Sequence, residues 1–265
     1  QGKHPPPSPP PYRPAPAPGE GRPMPADRRA LRKTLATQRG DVAAPRRLLG
    51  FDFDCTLTVR HFYKVFAWGY AQGSMGVHAH CKAFFSWCEE RDLQPRMHEA
   101  SDFHDPMGGA LEDFCRHCGD DAFREAFREV FLGGSARIAL VAEWLERMQR
   151  EGVEFAIVTA GVSSSVLRAL TAVPEWQQFF PASSVWDTSQ GRHSVRSVMD
   201  TKLLILRDVC PSARRILLVD DSLSKDAPSS WVLSAAGAEV YTGLPYEGPG
   251  VCETSLEAIE RQLLA

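Results

Sequence analysis

The sequence predicts an α/β protein: a Rossmann-like parallel sheet with helices on both faces, carrying a small α-helical insertion. Three observations predict it. From Leu48 to the C-terminus, apolar runs of strand length alternate with amphipathic stretches of helix length. Two of those runs end in clustered carboxylates, Asp52 with Asp54 and Asp220 with Asp221. Between the first run and the second lie about a hundred residues, more than a single crossover needs.

Leu48-Leu49-Gly50-Phe51 is the first run, and it leads straight into Asp52-Phe53-Asp54-Cys55-Thr56-Leu57-Thr58. An apolar run that stops at acids reads as a buried parallel strand emerging at its C-terminal edge, where open α/β sheets bind ligands. Strand alternation sends Asp52 and Asp54 to the same side unless the chain bends there. Next comes the insertion, residues 60–132, with helix-compatible apolar spacing over 62–70, 77–91, 108–117 and 121–131. Residues 136–151 read as an amphipathic helix closed by Gly152, and 153–158 as a strand ending at Thr159-Ala160-Gly161. Thr201-Lys202 opens a helix over 203–209, and 215–219 is another buried strand, ending in Asp220-Asp221-Ser222 with Asp226 close behind. A strand over 238–241 and a helix over 254–264 close the chain. Thr254 and Glu257 have the spacing of a capping box there. The core is therefore 46–59 together with 133–265.

Composition narrows the function classes. The 265 residues are 43% hydrophobic and 24% charged, enough apolar material for a real core. No apolar run approaches the roughly 18 residues that span a bilayer. The net charge of -3 conceals an asymmetry, since residues 1–47 hold ten Lys/Arg against three Asp/Glu in a chain with 30 and 33. What remains is acidic, which disfavours nucleic-acid binding by the folded part. Residues 1–45 form a Pro/Ala-rich basic tail expected to be disordered. Within it 26–38 could form a short basic helix, and its Pro-rich run has the composition of a linker or of an SH3 or WW ligand. Seven scattered cysteines suggest reduced thiols and a cytoplasmic setting, or an organellar one if the Arg-rich, acid-poor tail is part of a transit peptide. Cys115-x-His117-Cys118 is half a zinc site at most, and helical cysteines are more often small buried hydrophobes.

Asp52-x-Asp54-x-Thr56, Thr159, Lys202 and Asp220-Asp221 occur in the order and strand context of the four haloacid dehalogenase superfamily motifs. The sequence resembles a phosphatase of that superfamily over about four-fifths of its length, with a helical cap inserted between the first two motifs. The resemblance implies Asp52 as nucleophile and Asp54 as general acid/base, with Thr159, Ala160 and Lys202 holding the phosphoryl group. It implies Mg²⁺ held by Asp52, Asp54 (through its backbone carbonyl) and Asp221. Asp220 is then a supporting carboxylate or a turn residue, and Asp226 fits the five-residue spacing at which the last motif can place a second acid. The substrate it implies is a small phosphorylated metabolite.

The chemistry supports those roles. A carboxylate can accept a phosphoryl group and pass it to water, and phosphoryl transfer is catalysed mainly by positioning and charge neutralisation. Bringing anionic Asp52 to an anionic phosphate therefore calls for a hard cation and an ammonium such as Lys202. Arg60, His61 and Lys64 follow the nucleophile closely and are candidate substrate contacts, while Phe62, Tyr63 and Trp68 read rather as packing within the insertion. Asp54 argues against a dehalogenase, which needs no acid/base there. A phosphomutase would retain all these residues. A non-enzymatic scaffold with a partner-recruiting tail is disfavoured by the intact set.

Overall fold

The computed structural model describes residues 47–71, 78–95, 106–190 and 197–265. The tail, with its candidate helix and Pro-rich run, lies outside the described residues. The five strands are β1 (Arg47–Phe51), β2 (Val153–Thr159), β3 (Val185–Asp187), β4 (Arg215–Val219) and β5 (Ala238–Tyr241). They form one sheet in the order β3-β2-β1-β4-β5, and every pairing is parallel. That order reverses beside β1: the chain builds outward to β3 on one side, then returns to the other side for β4 and β5. Such a switch point opens a crevice at the carboxyl ends of the two central strands. Asp52 follows β1 and Asp220 follows β4, so the two acidic runs meet there.

Alternation along β1 divides the core. Leu49 and Phe51 face one side, with Phe155, Ile157, Leu217 and Val219, and Leu48 faces the other with Ala156, Val158, Ile216 and Leu218. The first side is covered by α5 (Ser135–Arg150), α6 (Ser163–Leu170), the single turn α7 (Pro174–Gln177) and α10 (Glu253–Leu264). The second carries α8 (Val198–Val209) and α9 (Ser230–Ala236). Helices thus lie on both faces, as the continuous apolar strands require. Gly50 permits the close approach of α8: a Cβ there would sit 2.4 Å from Leu206 Cδ1.

The insertion is helical. It comprises α1 (Lys64–Tyr70, wound with π-type turns), α2 (Ala79–Glu90), α3 (Pro106–Cys118) and α4 (Asp120–Ala126), the last running on through a wide turn at Phe127–Phe131. Its interior is aromatic. Phe62 packs edge-on against Phe66, Phe127 and Phe131, and Phe53 of the loop after β1 stacks on Phe127 at 6.2 Å. These contacts give the insertion an apolar core continuous with the first face of the sheet. Phe62 is fully buried as expected of a packing residue, whereas Trp68 is exposed. Cys81, Cys88 and Cys115 are buried, and burial raises their thiols. Among the described residues they form no metal-ligand cluster. Nor is any described helix long and apolar enough to cross a membrane.

Two helix starts differ from the sequence reading. Helix α8 begins at Val198, capped by the Ser197 hydroxyl accepting from the Met199 N–H, so Lys202 lies in its second turn rather than at its opening. Helix α10 begins at Glu253, and the reciprocal cap is made by Cys252 and Ser255 instead of Thr254 and Glu257. Ser255 Oγ accepts from the Cys252 N–H at 2.8 Å, so the helix opens one residue earlier than the sequence reading placed it. Strand β3, helices α6 and α9 and the single turn α7 are additions to the elements legible in the sequence.

Candidate active site

The chain bends immediately after β1. The Asp52 N–H still bonds to the Val219 carbonyl at 2.9 Å, extending the β1–β4 ladder by one residue. Asp54 is then extended (ψ 128°) and Cys55 adopts the left-handed conformation at φ 55°, rare for a residue other than glycine and a form of strain that gathers at functional sites. Thr58 braces the bend, its hydroxyl donating to the Arg60 carbonyl at 2.6 Å and accepting from the Cys55 N–H at 3.0 Å. Because of this bend, Asp52 and Asp54 face different partners.

Asp52 faces β4. Its carboxylate, with those of Asp220 and Asp221, forms a buried group whose ligand atoms all lie within 4.8 Å of one another. Lys202, only 2% exposed, reaches into the group from α8 and donates to Asp52 Oδ1 at 2.6 Å and to Asp220 Oδ2 at 2.5 Å. Its place in the second turn of α8, rather than at the helix start, is what directs it inward. The other Asp220 oxygen accepts from the Ser222 N–H at 2.8 Å. The Asp221 N–H donates to the Thr56 hydroxyl at 3.1 Å, tying the two strand tips together. Asp220 is thus fully buried at the centre of the site, although sequence alone left it a minor role. The carboxylate of Asp54 is not in this group. Asp226 is exposed and stands outside it.

Asp54 faces the insertion. It accepts from the Tyr63 N–H at 3.1 Å, and its Oδ1 lies 3.3 Å from His61 Nδ1. Thr159 is buried at the tip of β2, its hydroxyl accepting from the Gly161 N–H at 2.9 Å, while Ala160 is exposed beside it. A Cβ on Gly161 would come within 3.9 Å of Asp54 Oδ2, so the Thr159 loop and Asp54 border one space. Lys64 pairs with Glu247 from the loop after β5. Arg60 is half-buried and close enough to depress His80 electrostatically.

Charge explains the titration behaviour of the group. Burial drives Asp52 well above the ordinary carboxylate range, with Asp220 and Asp54 adding to it against the pull of Lys202. Burial also raises Asp221, to about 6, against the bond it accepts from the Glu247 N–H. For Lys202 burial opposes the charge, but Asp220 and Asp52 outweigh it and hold the ammonium above the usual lysine range. Asp54 behaves oppositely: burial works against ionisation, yet His61 and the backbone N–H groups of Tyr63 and Phe62 hold it low. Three buried carboxylates sharing one ammonium are over-supplied with negative charge. A hard divalent cation with oxygen ligands fits that donor set, and Asp52 and Asp221 are the residues that would hold it, with Asp220 anchoring Lys202 beside them.

A stability measurement checks this charge crowding. Asp221 has a folded pKa raised above its unfolded value, so its contribution is full below about pH 3.8 and is lost as pH rises through about 6. In chelator, Asp221→Asn should therefore be more stable than the parent near neutrality, by about 3 kcal/mol at most. The difference should vanish near pH 3.5, and added Mg²⁺ should reverse the order at pH 7.5. Chemical denaturation at the two pH values measures it. A variant less stable than the parent in chelator at pH 7.5 contradicts the crowding.

Sequence reading missed two residues. Glu247 lies in the turn-rich segment Pro245–Gly250, and its backbone N–H donates to Asp221 Oδ2 at 2.6 Å. Partial burial works against its ionisation, but Lys64 and the Tyr246 hydroxyl outweigh it and hold the carboxyl at about 2. The sequence marks a turn there, with nothing to place it over the site. His80, from α2, sits with its Nε2 3.8 Å from Glu247 and its ring 6.2 Å from that of His61.

No family model and no curated protein matches the chain. Among solved structures it is similar to the haloacid dehalogenase domain of the effector protein Lem4 from Legionella pneumophila, at 11% identity over 83% of this chain and 94% of that one, with a TM-score of 0.41. It is also similar to a predicted phosphoglycolate phosphatase from Haemophilus somnus 129pt, at 16% identity over 84% and 100% of the two chains, with a TM-score of 0.43. A haloacid dehalogenase family hydrolase from Deinococcus radiodurans with bound phosphate and sodium matches at 18% identity over 82% and 89%, with a TM-score of 0.38. The chain has a parallel sheet flanked by helices on both faces, with extra helices beyond the core strands.

Proposed function

We propose that the protein is a Mg²⁺-dependent phosphatase that hydrolyses a small phosphomonoester through an aspartyl-phosphate on Asp52. The observation that carries this reading is the buried group of Asp52, Asp220 and Asp221, with Lys202 bonded to the first two, at the switch point of the sheet. When bound, the cation supplies charge neutralisation for the phosphoryl oxygens and keeps Asp52 ionised.

The chain's own residues do the rest. An Asp52 oxygen forms the new bond to phosphorus while the ester oxygen departs. That oxygen receives a proton from the Asp54–His61 pair, whose facing atoms are 3.3 Å apart. With the alcohol gone, Asp54, held ionised by the backbone N–H groups around it, accepts a proton from water. The resulting hydroxide attacks the phosphorus of the acyl phosphate, releasing inorganic phosphate and restoring Asp52. Acid/base help of this kind contributes roughly 10²–10⁴-fold. Lys202 and Thr159 border the phosphoryl position from α8 and from the tip of β2. The insertion lies over Asp54 through Tyr63 and His61, and so faces the leaving group.

Hydrolysis of an aryl phosphate by the full chain, with and without Mg²⁺, tests the reading. Turnover should require the cation, stop in EDTA and return when Mg²⁺ is restored in excess. Undiminished turnover in the chelated protein, or none under any metal, sinks it. A panel of small phosphorylated metabolites assayed the same way then ranks natural substrates.

A further inference from the structure

We propose that Glu247 is a positioning residue that couples the helical insertion to the metal-ligand carboxylate of Asp221. The inference rests on the reading of Asp52 and Asp221 as a cation site. It concerns a residue that would not touch the cation.

Glu247 makes two connections in opposite directions. Its backbone N–H donates to Asp221 Oδ2 at 2.6 Å, fixing the orientation of that carboxylate. Its side chain accepts from the Lys64 ammonium of α1 and approaches His80 Nε2 of α2 at 3.8 Å. One residue therefore joins two helices of the insertion to the tip of β4, across 183 residues of sequence in the case of Lys64.

The backbone at Glu247 shows that this placement has a cost. Its φ is +51°, the left-handed region, which disfavours any residue with a Cβ. Glycine would be relaxed there. A glutamate is held because the loop around it is pinned elsewhere: the Val251 N–H donates to the Thr56 carbonyl at 2.8 Å. Gly250 (φ +70°) lies so close to the β1 loop that a Cβ would be 2.5 Å from both the Thr56 and Thr58 carbonyl oxygens. With the loop fixed at that end, the remaining freedom of Glu247 is set by Lys64. A shift of α1 then passes through the Lys64–Glu247 pair to the amide that orients Asp221. Groups that orient a metal's ligands from behind affect its affinity by roughly 10–100-fold.

Titration of the full chain with Mn²⁺, followed by the loss of the free-ion electron paramagnetic resonance signal, tests this without assaying turnover. Glu247→Gly is the informative variant, because it keeps the N–H to Asp221 and relieves the left-handed backbone while removing the carboxylate. It should fold at least as stably as the parent and bind Mn²⁺ roughly tenfold more weakly. Lys64→Met should weaken binding similarly, and the double variant no more than either single one, as for residues acting through one contact. Glu247→Gln, whose amide oxygen can still accept from Lys64, should recover most of the affinity. Asp221→Ala serves as the reference for a lost ligand. Parental affinity in Glu247→Gly, or additive losses in the double variant, overturns the proposal while leaving the cation site standing. Equal binding by the parent and Asp221→Ala overturns both.

Discussion

Asp52→Asn is expected to reduce kcat by at least about 10⁴-fold while leaving the protein folded. The substitution preserves shape and removes the attacking charge, so the acyl phosphate cannot form and catalysis retains only what binding and the remaining charges supply. A loss of 10⁴ corresponds to about 5.5 kcal/mol of barrier. Stability should change little, for a physical reason visible at the site. Burial, Asp220 and Asp54 already push the Asp52 carboxyl toward its neutral form, and an amide oxygen can still accept from Lys202 at the position of Oδ1. The check is steady-state turnover of a phosphate ester beside thermal unfolding, with mass spectrometry confirming that the introduced asparagine has not deamidated. A kcat within tenfold of the parent, in protein shown to be intact, would remove Asp52 from the chemistry.

Much of this site was legible in the residues because strand tips announce themselves. Leu48–Phe51 and Arg215–Val219 are apolar runs that stop at acids, and the parallel pairing places those acids side by side. What sequence could not supply was the geometry after the strands end. Whether Asp54 joins Asp52 depends on the left-handed turn at Cys55, and no pattern marks a cysteine for that conformation. As the chain actually bends, Asp54 meets His61, and Asp220 completes the acidic group.

Lys202 shows the same gap from the helical side. Residues 194–201 contain no proline or glycine to fix the start of α8, so its register waited on the Ser197 cap. The short strand β3 had too few residues for alternation to show. Yet Asp187 at its end, held low because bonds from Ser163, Ser189 and Gln190 outweigh its burial, organises the start of α6. Glu247 follows Asp52 by almost two hundred residues, and only the folded chain brings it to Asp221.

Lys202→Met should be the most destabilising single change at the site. Most lysines are exposed and their replacement moves stability by less than about 0.5 kcal/mol. Lys202 is 2% exposed and is bonded to two carboxylates that are themselves buried. Methionine fills much of the same volume, so the loss is one of charge rather than packing. It leaves Asp52 and Asp220 without their shared partner, and breaking a buried pair in this way costs about 3–5 kcal/mol. The two carboxylates can escape part of that cost by taking up a proton, so the loss should shrink as pH falls. A cation at Asp52 and Asp221 can offset part of it as well, so saturating Mg²⁺ should stabilise the variant more than it stabilises the parent. Activity should fall at least about 10²-fold even then, because the ammonium no longer faces the phosphoryl oxygens. Urea unfolding at pH 7.5 in EDTA and in Mg²⁺ measures both effects. A destabilisation below about 1 kcal/mol in EDTA, where no metal compensates, would mean that the ammonium does not carry the charge balance of the site.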